Sequence, residues 1–247
     1  MLSLLRALQQ ADTAFPSGSF AFSHGVEGLA DLGVRFDLQS MAGVFEAVLR
    51  HRWAGCDRVA LVQGWRCGAD PAGLMQADTA GPMEIDTARF TQVDTARLMQ
   101  IDQAVEAATL PATLRRGSRS NGAALLSAHV RIGTPSAAAL HTALASGALL
   151  GHLAPLQGAL WRALGIGERQ AVLVSGYTTV TALASAAVRL GCFGALAAQE
   201  AIGRVLSLIE ALASDPVAMD APLSGTLPWL DVACAQHGSS SVRLFSS

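Results

Sequence analysis

The stretch PATLRRGSRSNGAALLSAHVRIGTP, residues 111–135, decides the fold. Leu114, Ser118, Asn121, Gly122 and Leu125 recur at three- and four-residue steps, the period of one α-helix face. Pro111 suits a helix start, and Gly133 followed by Pro135 suits its end. The small members of that face would let another helix approach closely. The same chemistry continues outward. Ala and Leu, both strong helix formers, supply 80 of the 247 residues, whereas Val and Ile supply 23 and aromatic residues 5%. Strands draw on β-branched and aromatic side chains, so an extended sheet has little material here. The expected fold class is all-α, a single-domain helical bundle over 1–247, with 51% apolar residues for its core.

Towards the N-terminus, Leu4, Leu5 and Leu8 share one face of a short first helix that stops before Phe15-Pro16-Ser17-Gly18. Ser19 suits the N-cap of a second helix running to Leu32, with Gly33 just beyond its end. Asp37 suits the cap of a third, carrying Val44, Val48, Leu49 and Trp53, and an apolar run from Val59 to Trp65 ends at Cys67-Gly68. Towards the C-terminus, Thr134 to Leu160 and Ala171 to Val188 hold no charged residue, which raises the transmembrane question. Both are diluted by Ser, Thr and Gly, Pro155 divides the first, and no aromatic belt flanks either. Buried bundle helices, or a subunit interface between Pro135 and Leu190, are the expectation. A small helical membrane protein is the alternative.

Residues 75–106 read in eights as MQADTAGP, MEIDTARF, TQVDTARL and MQIDQAVE, with Asp78, Asp86, Asp94 and Asp102 at constant spacing. Eight residues span about 2.2 helical turns, so equivalent positions drift roughly 80° per copy and keep no common face. This predicts an acidic octad-repeat loop insertion at the surface, over 70–98, whose last copy merges into the next helix. A regulatory acidic loop and a tolerated duplication both fit; the second is the simpler reading.

The chemistry-bearing residues exclude more than they assign. All 17 basic residues are Arg, which removes a Schiff-base lysine and a Walker-type phosphate loop. A net charge of −2 gives no reason to expect nucleic acid. Cys56, Cys67, Cys192 and Cys234 form no C-x-x-C pair, so neither a zinc site nor a disulfide scaffold is indicated. The N-terminus lacks the pattern of a secretory signal, and a reducing cytoplasm is the expected compartment. Among the histidines, His141 and His152 could share a helix face about three turns apart, too far to ligate one ion together. Satisfied core histidines are the simpler reading. Ser23-His24 is no nucleophile–base pair by adjacency, and no G-x-S-x-G elbow occurs. No catalytic residue, cofactor site or metal ligand is assigned, and the residues alone point to a protein-binding scaffold.

Particular strings then add a resemblance. Asp12-Thr13-Ala14-Phe15-Pro16-Ser17-Gly18-Ser19-Phe20, followed by Ser23, Gly25, Val26 and Glu27, is similar to the opening signature of the UreF family of urease accessory proteins. Leu114-Arg115, Gly122-Ala123-Ala124-Leu125-Leu126, His152 to Gly158 running into Ala163-Leu164-Gly165-Ile166, and Ser185 to Leu190 continue the match in order. The chain closes with Pro228, Asp231-Val232, His237 and Ser241-Val242-Arg243-Leu244-Phe245-Ser246-Ser247, close to the family's R-L-F-x-S ending. Gly191 to Leu196, Gly238 and the octads depart from the family pattern.

The resemblance implies an all-helical, usually dimeric, non-enzymatic assembly factor. Such a protein binds UreD (also called UreH) and through it the GTPase UreG, in a complex that loads nickel into apo-urease. No nucleic-acid or membrane partner and no cofactor of its own is implied. The segment 238–247 is a candidate partner-binding tail, offering Ser241, Arg243, Leu244 and Phe245 after the flexible Gly238-Ser239-Ser240-Ser241. An Arg beside two apolar side chains makes a compact anchor. A frayed terminus capping the nearest groove fits the residues equally, and the family ending favours the tail.

Overall fold

The computed structural model describes residues 1–18, 22–70, 92–237 and Phe245. Among them the regular structure is helical: α1 (Leu2–Ala11), α2 (Val26–Asp31), α3 (Leu38–Val48), a π-helical segment (Leu49–Asp57), α4 (Arg58–Cys67), α5 (Thr95–Ala108), α6 (Ala112–Arg131), α7 (Ala137–Ala145), α8 (Leu153–Ala163), α9 (Glu168–Arg189), α10 (Ala195–Ser214) and α11 (Pro228–His237). The all-α expectation is met, with no strand among the described residues.

α8 is the axis of the bundle. Every residue from Ala154 to Trp161 is buried, so this helix is apolar all round rather than amphipathic. It packs on α4 and α6, while α9 packs on α10 and α10 on α3. The contact with α4 is backbone to backbone. A Cβ on Gly158 would overlap the carbonyl oxygen of Leu61, and one on Gly64 would overlap that of Pro155. Pro155 itself sits in the first turn of α8, where its missing N–H leaves no intrahelical bond unmade.

Several boundaries follow the sequence reading. Asp37 caps α3 in a capping box, accepting from the Ser40 N–H at 2.7 Å while Ser40 Oγ accepts from the Asp37 N–H at 2.8 Å. Pro111 is the N-cap of α6, and Gly133 (φ 72°) follows that helix's end. The second helix differs from expectation. It starts at Val26, because His24 (φ 51°) and Gly25 (φ 90°) turn left-handed just before it. A Cβ on Gly25 would also lie 2.9 Å from Cys234 Sγ of α11, so both backbone and packing require glycine there. Ser19 lies outside the described residues. The far end is as expected: Gly33 N–H reaches Ala30 O and Val34 N–H reaches Leu29 O, a Schellman closure.

The third and fourth expected helices are one rod, joined through the π-helical segment. Gly55 lies within it, and its carbonyl accepts the Ser224 N–H of a passing strap at 2.9 Å. The Leu4, Leu5 and Leu8 stripe of α1 faces outward, with Ala7 and Gln10 turned inward. Of the two uncharged runs, the first divides into α7 and α8, and the second is α9. α9 is long and apolar enough to cross a membrane by length and composition, but half of its most apolar window is buried inside the fold.

Within the octads, residues 71–91 lie outside the described residues, including Asp78 and Asp86. Asp94 caps α5 through the Arg97 N–H at 3.0 Å, and its own N–H binds Cys67 O. Leu98 is in the core, and residues 95–98, at the end of the 70–98 span, are the first turn of α5.

Candidate functional site

Three arrangements carry the polar chemistry. The first is the junction at the start of α8. Asp102, one helical turn before Glu106 on α5, is 2% exposed and accepts three backbone N–H groups, from Leu150 (2.5 Å), Gly151 (2.8 Å) and His152 (2.8 Å). These amides belong to the turn leading into α8 and to its N-cap residue, His152, and a carboxylate from another helix satisfies them. His152 Nε2 lies 2.9 Å from Glu106 Oε2, and its Nδ1 lies 3.0 Å from Ser118 Oγ. Glu106 also pairs with Arg115 and Arg119 of α6. Burial lowers the His152 pKa, against the opposing pull of Asp102 and Glu106. His141 lies on α7 and His152 at the cap of α8, in different elements, so the two share no helix face. His152 is a satisfied core histidine.

The second is a cleft of about 210 Å³ between α1, the turn before α2, α6 and α9. Its wall holds three buried polar atoms without a hydrogen-bond partner: Gln10 Nε2, His24 Nε2 and Asn121 Oδ1. The Gln10 orientation follows from its neighbours. The Trp161 indole can only donate, at 3.0 Å, so it meets Oε1, and His129 Nε2 at 3.2 Å must then carry its proton to the same oxygen. His129 Nδ1 therefore accepts from Thr134 Oγ1 at 2.8 Å, and Gln10 Nε2 is left facing the cleft. One donor, one acceptor and a neutral imidazole are hydrogen-bonding groups that water can satisfy, in a cleft also lined by Asp12, Arg52, Asp57 and Arg189.

Burial pushes His24 and His129 each down to about 4. Both are neutral in the folded chain and free to protonate when it unfolds. Stability is then full above pH 6.5 and falls as the pH drops towards 4, each imidazole adding a slope of up to about 1.4 kcal/mol per pH unit. His129→Gln is expected to flatten the stability–pH curve over that window by about one such increment, measured by urea unfolding across pH. An unchanged slope would contradict the neutral, buried assignment.

The third arrangement joins three segments far apart in sequence. The Arg189 guanidinium, at the end of α9, lies 4.0 Å from the centroid of the Phe245 ring. Burial lowers the Arg189 pKa, and the nearby charge of Glu27 of α2, itself 5% exposed, opposes that shift. Phe245 is itself 5% exposed and part of the core. Of the four residues expected to bind a partner, Phe245 alone is described; Ser241, Arg243 and Leu244 lie outside the described residues.

Among the described residues, no group of three or more His, Cys, Asp or Glu stands close enough to hold an ion. Burial pushes Cys56 and Cys234 up to about 12 and Cys67 up to about 11, so these thiols stay protonated. Sequence reasoning missed Asp102 and Glu106, although their four-residue spacing placed both on one face of the helix after the octads.

Within an all-helical fold, the described residues thus offer polar groups that fix helix ends, a polar cleft and the stacking of Arg189 on Phe245. The family model for UreF matches residues 36–206. The urease accessory protein UreF of Trichodesmium erythraeum (strain IMS101) is 30% identical over 248 residues, covering 98% of this chain and 96% of the relative. Those of Corynebacterium efficiens and of Yersinia pseudotuberculosis serotype IB are 25% and 28% identical, covering 100% and 99% of this chain and 98% of each relative. The chain belongs to the UreF family.

Proposed function

We propose that this chain is a non-enzymatic urease maturation factor of the cytoplasm, acting as a homodimer that bridges UreD and the GTPase UreG on apo-urease while nickel is inserted. Nickel is cargo of the assembly, and the chain needs no cofactor of its own. The observation that carries the reading is a family match running nearly end to end with relatives named as urease accessory proteins. The absence of lysine from the sequence adds support, because a phosphate loop of the usual kind must then come from a partner.

The tail 238–247 is the partner-binding element in this reading, with Ser241, Arg243, Leu244 and Phe245 as its contacts. Arg243 offers a planar fork of donors to a carboxylate, and truncating such an anchor costs about 2 kcal/mol or more, tens of fold in affinity. Arg243→Ala is expected to leave folding and dimerisation intact while weakening UreG recruitment and urease activation by that order. Co-purification of UreG with the UreD complex, together with the nickel content of the urease produced, measures it. Full activation with UreG still bound would overturn the tail assignment.

A further inference from the structure

Buried polar side chains are hydrogen-bonded as a rule, so one left without a partner calls for an explanation. The cleft between α1, the turn before α2, α6 and α9 gathers three. Gln10 is 6% exposed and Asn121 2% exposed, yet Gln10 Nε2 and Asn121 Oδ1 meet no partner, and neither does His24 Nε2. The charged groups of the same wall are already engaged. Arg52 donates to Thr109 Oγ1 at 2.9 Å and lies 3.6 Å from Asp57, Asp12 Oδ1 accepts the Ala14 N–H at 2.8 Å, and the Arg189 guanidinium stacks on Phe245. Among the described residues, two Arg and two Asp leave that wall with no net charge. A space of about 210 Å³ has room for on the order of ten waters, yet it offers them three free atoms and a wall that includes Phe22, Leu114 and Leu125.

We infer that this cleft is a binding site for a small neutral molecule that carries a primary carboxamide group on a short apolar body. A carboxamide answers all three free atoms at once. Its carbonyl oxygen accepts from Gln10 Nε2, one N–H donates to Asn121 Oδ1, and the other donates to His24 Nε2 in the tautomer protonated at Nδ1. The apolar body lies against Phe22, Leu114 and Leu125. A carboxylate of the same shape has no donor for Asn121, and it would bring a charge into a cleft where burial keeps His24 neutral. An alcohol has one donor for two acceptors. A wrong guest therefore leaves buried polar groups unpaired, which is the stronger route to small-molecule selectivity. The inference stands apart from the tail and from the partners proposed above.

The test uses the full-length chain and butyramide, with butyrate and 1-butanol as controls of matched size. Saturation-transfer NMR is expected to detect butyramide with a dissociation constant of about 1 mM, the range open to a ligand of so few atoms. Butyrate and 1-butanol are expected to bind about ten-fold more weakly or not at all. The His24 imidazole resonances are expected to shift with butyramide, which places the ligand in this cleft. Asn121→Leu is expected to weaken butyramide about ten-fold while holding the thermal midpoint, because it removes an unpaired buried polar group. Should the leucine variant fold poorly, Asn121→Ala carries the same binding measurement. If butyramide binds no better than butyrate and 1-butanol, or leaves the His24 resonances unmoved, the cleft holds water only and the inference is overturned. Binding of butyramide to the Asn121 variants as tightly as to the parent would overturn it as well.

Discussion

Asp102→Ala is expected to destabilise the fold by about 3–5 kcal/mol, lowering the thermal midpoint by on the order of 10 °C. The Asp102 carboxylate is 2% exposed and takes the N–H groups of Leu150, Gly151 and His152, so alanine strands two buried donors and a part-buried one at once. Those donors form the turn that leads into α8, the helix around which the bundle is built, so the damage falls on the middle of the core rather than at an edge. Asp102→Asn separates charge from shape. Its oxygen replaces one acceptor, but its NH₂ group points a donor at backbone donors, so the loss should approach that of alanine. Guanidinium unfolding of the two variants measures this. A small loss in both would mean that the start of α8 is held by its packing alone.

The place of Asp102 in the sequence shows what was legible and what was not. Helix periodicity and composition sufficed for the all-α class, because Ala, Leu and the steps of α6 are local signals. The Asp37 box and the Gly33 closure were legible for the same reason, since cap and helix are neighbours in sequence. Asp102 read as the fourth member of an acidic repeat because its partners, the amides of 150–152, lie 48 to 50 residues away. Non-local partners leave no periodic trace. The same limit hid the meeting of Glu27, Arg189 and Phe245, although each falls in a string that resembles the family. The start of α2 was misplaced for a different reason: Ser19 is a good cap residue, but His24-Gly25 turn left-handed, with Leu230 and Cys234 of α11 packed where a Cβ on Gly25 would lie. The small residues of α6 were read correctly as allowing close approach. What approaches Gly122 is the turn of Gly151 and His152 rather than the body of a helix.

Glycines in two helices are expected to answer the same substitution with opposite signs. Gly158→Ala should destabilise by about 3 kcal/mol or more, because the new methyl would overlap the Leu61 carbonyl oxygen and crowd the Trp65 amide nitrogen. Neither obstacle is the flexible end of a side chain; both are backbone of α4, which yields only if the two helices separate. Separation would in turn open the contacts of Leu156, Leu160 and Trp161, each about 1% exposed or less. Gly203→Ala, in the middle of α10, meets nothing within 4 Å and has no left-handed backbone to preserve. There alanine only restricts the unfolded chain and improves helix propensity, which should stabilise by about 0.5–1 kcal/mol. Thermal unfolding of the pair decides the matter. A tolerated Gly158→Ala would mean that α4 and α8 can ride further apart, and that the bundle is not held by backbone contact at its axis.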